Sequence, residues 1–204
     1  MTTIRAVLWD LGGVLVRTED RSGRRAWERR HGLPEGGLDD LVFGSPAGQR
    51  AARGLGREDE IWESAAARLG LDADGRAALR REFFAGDRLD EDLMAYVRAL
   101  RPAQRVGMIT NAWPSVRPAL ERLWRIADAF DPLVISAEVG LLKPDPRIYR
   151  LALDALGLPG GQVLFVDDFA ENVEGARQAG LQALQFTGRQ AALEALRALL
   201  PGEG

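Results

Sequence analysis

Near the start of the chain, residues 4–13 read IRAVLWDLGG. The first six form a short, mostly apolar run with β-branched members, and the acid and two glycines that follow indicate a tight turn. We interpret the stretch as a buried strand that ends at Asp10. Ligands of open parallel sheets bind beyond the carboxyl ends of the strands, so Asp10 is a candidate site residue.

Four further runs of this kind follow later in the chain, and helical patterns separate them. The predicted strands are 105–110, 132–136, 162–166 and 181–186, and the predicted helices are 89–100, 115–125, 146–156, 172–179 and 190–200. This alternation predicts an α/β fold, a Rossmann-like parallel sheet with helices on both faces.

The pattern changes between the first two strands of this sheet. From about residue 18 to about residue 87 no strand is evident, and apolar residues recur at helical spacing between glycine-rich breaks. Such a segment is much longer than a simple crossover. We therefore predict a core domain formed by residues 1–15 and 88–204, with a small α-helical cap domain, residues 16–87, inserted into it.

Composition excludes several classes of protein and site. The 204 residues carry 27 basic and 30 acidic side chains, and a net charge of −3 provides no basic field for nucleic acid or anionic membrane. The absence of cysteine excludes disulfides, thiolate nucleophiles and cysteine-based zinc sites. No apolar run approaches the roughly 18 residues of a membrane span. We expect a cytoplasmic protein, and the sequence leaves its oligomeric state unknown.

Polar residues cluster where the predicted strands end. Thr110 and Asn111 follow the second strand, and Asp167 and Asp168 follow the fourth. Each set also fits an ordinary turn or helix cap. Adjacent buried carboxylates repel, however, and together with Asp10 they would suit a hard divalent cation such as Mg²⁺.

Lys143 is the only lysine among the 27 basic residues and lies in a proline-rich loop after the third strand. A compact ammonium acts as a point charge on phosphate or carboxylate, unlike a forked guanidinium. Chance placement is the alternative explanation.

Four motifs in this order resemble those of the haloacid dehalogenase superfamily, in the subgroup that carries a helical cap. They are VLWDLGGVL, MITN, LLKPDP and FVDDFAENVEGA, at residues 7–15, 108–111, 141–146 and 165–176. The resemblance covers the whole predicted core. It implies a hydrolase whose substrate is a small phosphorylated molecule and whose cofactor is Mg²⁺.

The resemblance also implies individual roles for the residues that form the reaction centre. Asp10 corresponds to the nucleophile that forms an aspartyl intermediate. Thr110 and Asn111 correspond to a phosphate-binding pair. Lys143 corresponds to a lysine that binds the phosphoryl group and neutralises its charge and that of the nucleophile.

A second set of matched residues is implied to hold the metal. Asp168 corresponds to a direct ligand, Asp167 lies beside it, and Asp10 would contribute as well. Asn172 corresponds to a supporting residue for the metal or the lysine. The backbone carbonyl of Gly12 would face the metal.

Gly12 is also the one departure from the family pattern, because most family phosphatases carry a second aspartate there as acid and base. General acid–base help is worth about 10²–10⁴-fold, so poor leaving groups should react slowly. Sugar 1-phosphates, aryl phosphates and acyl phosphates need less help.

Three functions therefore stay open. The first is a magnesium-dependent phosphatase of a small metabolite, favouring good leaving groups such as sugar 1-phosphates. The second is a 2-haloacid dehalogenase, which uses the same nucleophile without a metal. The third is a non-catalytic member that binds a phosphometabolite or a protein, for which Gly12 is the only support.

Specificity in this family resides in the cap, which covers the site. The cap candidates are Arg17, Glu19, Arg21, Arg24, Trp27 and Trp62. For the two tryptophans we favour the cap core, and for the arginine cluster of residues 21–30 a solvated helix face rather than a phosphate clamp. Trp113 and Pro114, just after the phosphate motif, could wall the pocket. His31, the only histidine, is assigned no catalysis.

Overall fold

The computed structural model describes residues 3–101 and 103–200, so the outermost ends of the predicted core domain lie outside the described residues. Its main sheet has five parallel strands in the order β5-β4-β1-β6-β7. The strands are β1 (Ala6–Trp9), β4 (Arg105–Thr110), β5 (Leu133–Ile135), β6 (Val163–Asp167) and β7 (Gln182–Gln185). The predicted α/β fold is confirmed, and β1 lies at the centre of the sheet.

Helices cover both faces of this sheet. They are α6 (Glu91–Ala99), α7 (Val116–Pro118), α8 (Ser136–Val139), α9 (Pro146–Leu156), α10 (Ala170–Gln178) and α11 (Arg189–Leu199). Alternation along β1 places Val7 and Trp9 in one hydrophobic cluster, with residues of α6 and α11. Ala6 and Leu8 face the other cluster, with residues of α9 and α10. Burial on both sides explains why β1 is apolar throughout.

Two short strands enclose the helical segment between β1 and β4. They are β2 (Val16–Thr18) and β3 (Asp87–Leu89), which pair antiparallel. Between them lie α1 (Ser22–His31), α2 (Gly37–Val42), α3 (Pro46–Ala52), α4 (Asp59–Leu69) and α5 (Ala73–Phe84). These five helices share a third hydrophobic cluster, which also contains Trp113. The division of the chain into a core domain and a helical cap domain of residues 16–87 stays a prediction.

The segment predicted as one helix over 115–125 differs from that expectation. Only the single turn of α7 is α-helical, and a π-helical turn, Ala119–Leu123, replaces the remainder. The segment ends at Arg125, whose φ of 54° lies in the left-handed region. A non-glycine residue there is uncommon and stops a helix. The 3₁₀ turn Ala127–Ala129 follows, and a second, Gly160–Gln162, precedes β6.

Candidate active site

The end of β1 delivers Asp10 to the carboxyl edge of the sheet. Its backbone N–H donates to the carbonyl of Val166 at 2.9 Å, and the residue is only 6% exposed. The turn that follows brings Gly13 against the end of β6. Gly13 has a φ of +76°, and a Cβ there would lie 2.1 Å from Oδ2 of Asp168. Only glycine allows the carboxylate of Asp168 this close approach.

The end of β4 organises the loop that carries Lys143. The amide of Asn111 donates from Nδ2 to the Lys143 carbonyl at 3.0 Å, and its Oδ1 accepts from the Lys143 N–H at 2.8 Å. Asn111, predicted to bind phosphate, thus fixes the backbone of the lysine through both ends of its side chain. Thr110 is the last residue of β4 and is buried.

Lys143 joins the ends of β1 and β6. Its Nζ lies 2.7 Å from Oδ1 of Asp10 and 2.6 Å from Oδ2 of Asp167. The lysine side chain is 1% exposed, and Nζ also lies 5.3 Å from the ring centroid of Phe165. A buried ammonium needs such partners, because an unpaired charge in the interior is strongly unfavourable.

Asp167, expected beside Asp168 in the metal site, accepts hydrogen bonds from protein groups at both of its oxygens. Oδ2 accepts from Lys143, and Oδ1 accepts from the backbone N–H of Phe169 at 2.8 Å. Nδ2 of Asn172 lies 3.1 Å from each oxygen. These contacts favour a role in positioning the lysine, and they place Asn172 as the support of Asp167.

Asp168 has a buried oxygen, Oδ1, without a hydrogen-bond partner among the described residues. One oxygen from each of Asp10, Asp167 and Asp168 lies within 4.8 Å of the others. Three carboxylates and one ammonium leave two negative charges when all are ionised. An unpartnered carboxylate oxygen and this excess charge fit a hard divalent cation such as Mg²⁺.

Burial, together with the neighbouring charges, perturbs the pKa values of the cluster. Burial raises the pKa of Asp10 to about 7, against the lowering effect of Lys143, and Asp167 adds to the rise. Burial, and then the charge of Asp167, raises the pKa of Asp168. Both shifts follow from burial and from a neighbouring carboxylate, each of which disfavours the charged form.

Gly12 leaves space open beside the cluster. The residue is exposed, and a Cβ there would meet no heavy atom within 4 Å beyond its chain neighbours. Its φ lies outside the left-handed region, so other residues could adopt this backbone. Steric crowding therefore does not explain why this position lacks the aspartate that most family phosphatases carry.

Most of the cap candidates have structural partners, and for Arg24 the expected solvated helix face is wrong, because this residue is buried. Arg21 and Arg24 bind Asp39, Arg24 lies 4.0 Å over the ring of Phe83, and Trp27 donates to Glu82 at 2.8 Å. The remaining candidates are Arg17, which binds Asp90, Glu19, which lines the same groove as Arg17, and Trp62, which lies in the cap core. His31 stacks on Trp27 with ring centroids 5.5 Å apart.

Trp113 is the candidate that the structure ties to the cap helices. Its Nε1 donates to the carbonyl of Gly48 in α3 at 3.2 Å, and its ring stacks on Phe43 at 5.2 Å. Phe43 and Phe84 were not predicted from the sequence. Their signal was weak, because each stands at a helix end where an apolar residue is equally consistent with the core.

The chain belongs to the haloacid dehalogenase-like hydrolases, whose family pattern matches residues 4–180. This confirms the resemblance drawn from the four motifs. The protein is 27% identical to a sesquiterpene phosphatase of Aspergillus oryzae over 202 residues, 98% of each chain. A phosphatase of Mycobacterium tuberculosis is 40% identical over 91 residues, 44% of this chain. That segment is 42% of the mycobacterial protein, so the chain matches less than half of that relative.

Solved structures agree with the fold. A HAD-like hydrolase from Porphyromonas gingivalis superposes with a TM-score of 0.78 at 21% identity, over 97% of this chain and 98% of that one. A HAD family enzyme from Bacteroides thetaiotaomicron, solved with magnesium and inorganic phosphate, gives 0.75 at 16% identity, over 93% and 98%. L-2-haloacid dehalogenase from Xanthobacter autotrophicus gives 0.64 at 24% identity, over 98% and 85%. Within the described residues, no helix combines the length and apolarity of a transmembrane span.

Proposed function

We propose that this hydrolase is a magnesium-dependent phosphatase that acts on a small phosphorylated molecule through an aspartyl-phosphate intermediate. One observation carries the proposal: Lys143 bridges Asp10 and Asp167, while the adjacent Asp168 keeps a buried oxygen without a partner. This combination provides a nucleophile, a fixed positive charge and a ligand for a hard cation. Magnesium and phosphate in the Bacteroides structure support the same chemistry.

In the first half-reaction, a carboxylate oxygen of Asp10 attacks phosphorus and the bond from phosphorus to the leaving oxygen breaks. The leaving oxygen takes a proton from solvent. In the second, water attacks the phosphorus of the aspartyl phosphate and the bond to Asp10 breaks. Phosphate departs, the proton passes to solvent, and the carboxylate is restored.

The chain's own residues would orient these steps. Nζ of Lys143, 2.7 Å from Oδ1 of Asp10, holds the nucleophile and places positive charge where phosphoryl charge develops. Asp168, with Asp10 and the backbone carbonyl of Gly12, would hold Mg²⁺. A bound Mg²⁺ would supply electrostatic neutralisation of the phosphoryl oxygens. Thr110, with the backbone after β4, would bind those oxygens.

Gly12 restricts the substrates that react well. No side chain at this position can protonate the leaving oxygen, so substrates with stable leaving groups are favoured. Sugar 1-phosphates, aryl phosphates and acyl phosphates meet this condition. The names of the Aspergillus and Mycobacterium relatives as phosphatases support the reaction class.

The buried negative charge argues against a 2-haloacid dehalogenase. The substrate of such a dehalogenase is itself a carboxylate. The excess negative charge of the aspartate cluster would repel this carboxylate in the absence of a cation. The likeness to the Xanthobacter dehalogenase is one of fold. Chloride release from 2-chloropropionate without magnesium would reverse this preference.

Phosphate release from a panel of substrates tests the proposal. The panel comprises sugar phosphates, nucleotides, acetyl phosphate and p-nitrophenyl phosphate, each with and without Mg²⁺. We expect magnesium-dependent turnover that Asp10→Asn abolishes. Turnover that survives complete removal of divalent ions would overturn the proposal, as would a folded protein that turns over none of these compounds.

A further inference from the structure

The phenylalanines of this protein fall into two groups by exposure. Four of the seven are at most 5% exposed, and three are much more exposed: Phe43 at 45%, Phe84 at 37% and Phe169 at 64%. Exposed aromatic surface of this kind marks a binding site when it is contiguous and placed beside polar groups. The three exposed rings therefore need an explanation.

Phe43 and Phe84 pack on one indole. The ring of Phe43 stacks on Trp113 with centroids 5.2 Å apart and planes at 30°, and Phe84 meets the same indole nearly edge-on at 6.4 Å. We call Phe43, Phe84 and Trp113 the aromatic shelf. Trp113 is 8% exposed and supports the shelf, while the two phenylalanines present its open surface.

The shelf is fixed close to the reaction centre. Trp113 follows Thr110 by three residues, so at most about 11 Å of chain separates their Cα atoms. The indole cannot swing away freely, because its Nε1 is bonded to the Gly48 carbonyl at 3.2 Å. Phe169 directly follows Asp168, and its N–H binds Asp167. Trp113, on which Phe43 and Phe84 pack, thus lies close in the chain to the end of β4, and the exposed Phe169 lies shortly after the end of β6.

A sugar would make poor use of this surface, because its hydroxyls need polar partners when they lose water. An apolar group gains by covering the rings and adds ring-edge or stacking contacts when it is aromatic. Gly12, in the loop that follows β1, has open space around the position that a Cβ would occupy. This residue, a glycine, therefore adds no polar side chain to the site.

We propose that the aromatic shelf binds the leaving group of the substrate and that this group is a hydrocarbon-rich, apolar one. This inference rests on the proposed phosphatase function and names its substrate class: organophosphates whose leaving group is both apolar and readily released, such as an apolar phenol, rather than phosphorylated sugars. Phosphate binds at the carboxyl ends of β1, β4 and β6, and the apolar group lies along Phe43 and Phe84.

A series of 4-n-alkylphenyl phosphates tests the shelf, because the alkyl chain lengthens while the acidity of the phenol stays nearly constant. We expect kcat/KM to rise about twofold per methylene over the first several carbons, mainly through KM; full burial would give about fourfold. Phe43→Ser and Phe84→Ser should each flatten this rise. Leu55→Ser, at a residue that is 73% exposed and outside the shelf, should keep it.

Binding without turnover gives a second readout. In the Asp10→Asn protein, n-alkyl phosphonates of increasing length should quench tryptophan fluorescence at decreasing concentration, and Phe43→Ser should remove this dependence. Circular dichroism and thermal melting confirm that each variant is folded. If kcat/KM stays flat or falls with chain length while acetyl phosphate is hydrolysed, the proposal that the aromatic shelf binds the leaving group is wrong. The proposed phosphatase function would still stand. Absence of turnover with every phosphate ester and with acetyl phosphate overturns the phosphatase itself.

Discussion

The two consecutive glycines shortly after Asp10, Gly12 and Gly13, have opposite surroundings. Gly13 has a φ of +76° and no room for a Cβ beside Asp168, whereas Gly12 has ordinary backbone and open space. The local geometry therefore requires glycine at position 13, whereas position 12 can accept other residues. Each makes a prediction that concerns a single side chain.

Gly13→Ala should displace the carboxylate of Asp168, because the added Cβ would lie 2.1 Å from its Oδ2. Loss of a ligand's position typically lowers metal affinity by about 10–100-fold. We expect the magnesium concentration for half-maximal activity to rise by a similar factor, and titration calorimetry should show the same loss of binding. Gly161→Ala is the matched control, because a Cβ there meets nothing within 4 Å. Unchanged magnesium dependence in Gly13→Ala would remove Asp168 from the metal site.

Gly12→Asp should restore an acid near the leaving oxygen. The backbone accepts the residue and the space is open, so we expect a folded protein. General acid catalysis should raise kcat/KM by about 10-fold or more for alkyl phosphates, and less for p-nitrophenyl phosphate, whose anion leaves without a proton. The ratio of the two rates is the measurement. A ratio equal to that of the unmodified protein would show that this position does not limit leaving-group departure.

At the scale of elements, the start of α6 depends on Asp90. Its carboxylate caps the helix by accepting from the Leu93 N–H at 3.0 Å, and Arg17 and Arg189 each donate to it at 2.7 Å. Burial alone would raise the pKa of Asp90, but the Leu93 N–H and the two arginines together hold it below its ordinary value. Helix α6 is thereby joined to β2 and to α11.

Asp90→Asn should lower the free energy of unfolding by about 1–2 kcal/mol at pH 7, since hydrogen bonds to charge are lost while an amide still caps. A depressed pKa contributes stability that is present above the unfolded value and is lost as pH falls through the folded value. The gap between the two proteins in urea unfolding should therefore close below about pH 4. Asp92→Asn, whose side chain is 80% exposed, should have little effect at any pH. A gap independent of pH would contradict the charge-based account.

Elements with strong local signals were predictable from the sequence. Helix α9 begins and ends where predicted, because Asp145 caps it, Pro146 occupies its first turn and Gly157 adopts the left-handed conformation that ends it. Strands β2 and β3 have three residues each and exist only through their mutual pairing, from Val16 with Leu89 to Thr18 with Asp87, which no local pattern reveals. Pairing at such separation is decided by the whole fold.

The candidate site shows the same division. The places of Asp10 and Lys143 after strands predicted the same edge of the sheet, and the resemblance implied that the lysine neutralises Asp10; in the structure Nζ lies 2.7 Å from Oδ1 of Asp10. The engagement of Asn111 with the lysine backbone, and of Asp167 with Lys143, could not be predicted. Several polar groups compete for each partner there, and the choice depends on loop paths that sequence spacing does not define.

For the whole molecule, the helical segment contacts the sheet at a second place besides the β2–β3 pair. Ser136, at the start of α8, donates from Oγ to the carbonyl of Ala52 at 2.7 Å and accepts from the N–H of Ala112 at 2.9 Å. Nearby, Gly54 passes so close to α8 that a Cβ would lie 2.2 Å from the Ala137 carbonyl. The segment that carries Phe43 is thus held against the loop that carries Trp113. Any movement of this helical segment away from the sheet would require these contacts to break.

Ser136→Ala should loosen this junction, because it leaves the Ala52 carbonyl and the Ala112 N–H without their common partner. Buried groups that lose a hydrogen bond cost about 1–3 kcal/mol, and we expect a loss of that order in the free energy of unfolding. Amides of α3 should exchange hydrogen faster than in the unmodified protein, while those of β1 change only with global stability. Ser115→Ala is the control, because that exposed serine makes no capping hydrogen bond. If amide exchange in α3 stays unchanged in Ser136→Ala, the hydrogen bonds of Ser136 do not hold the helical segment in place. The contacts of Trp113 and the β2–β3 pair would then suffice to hold it.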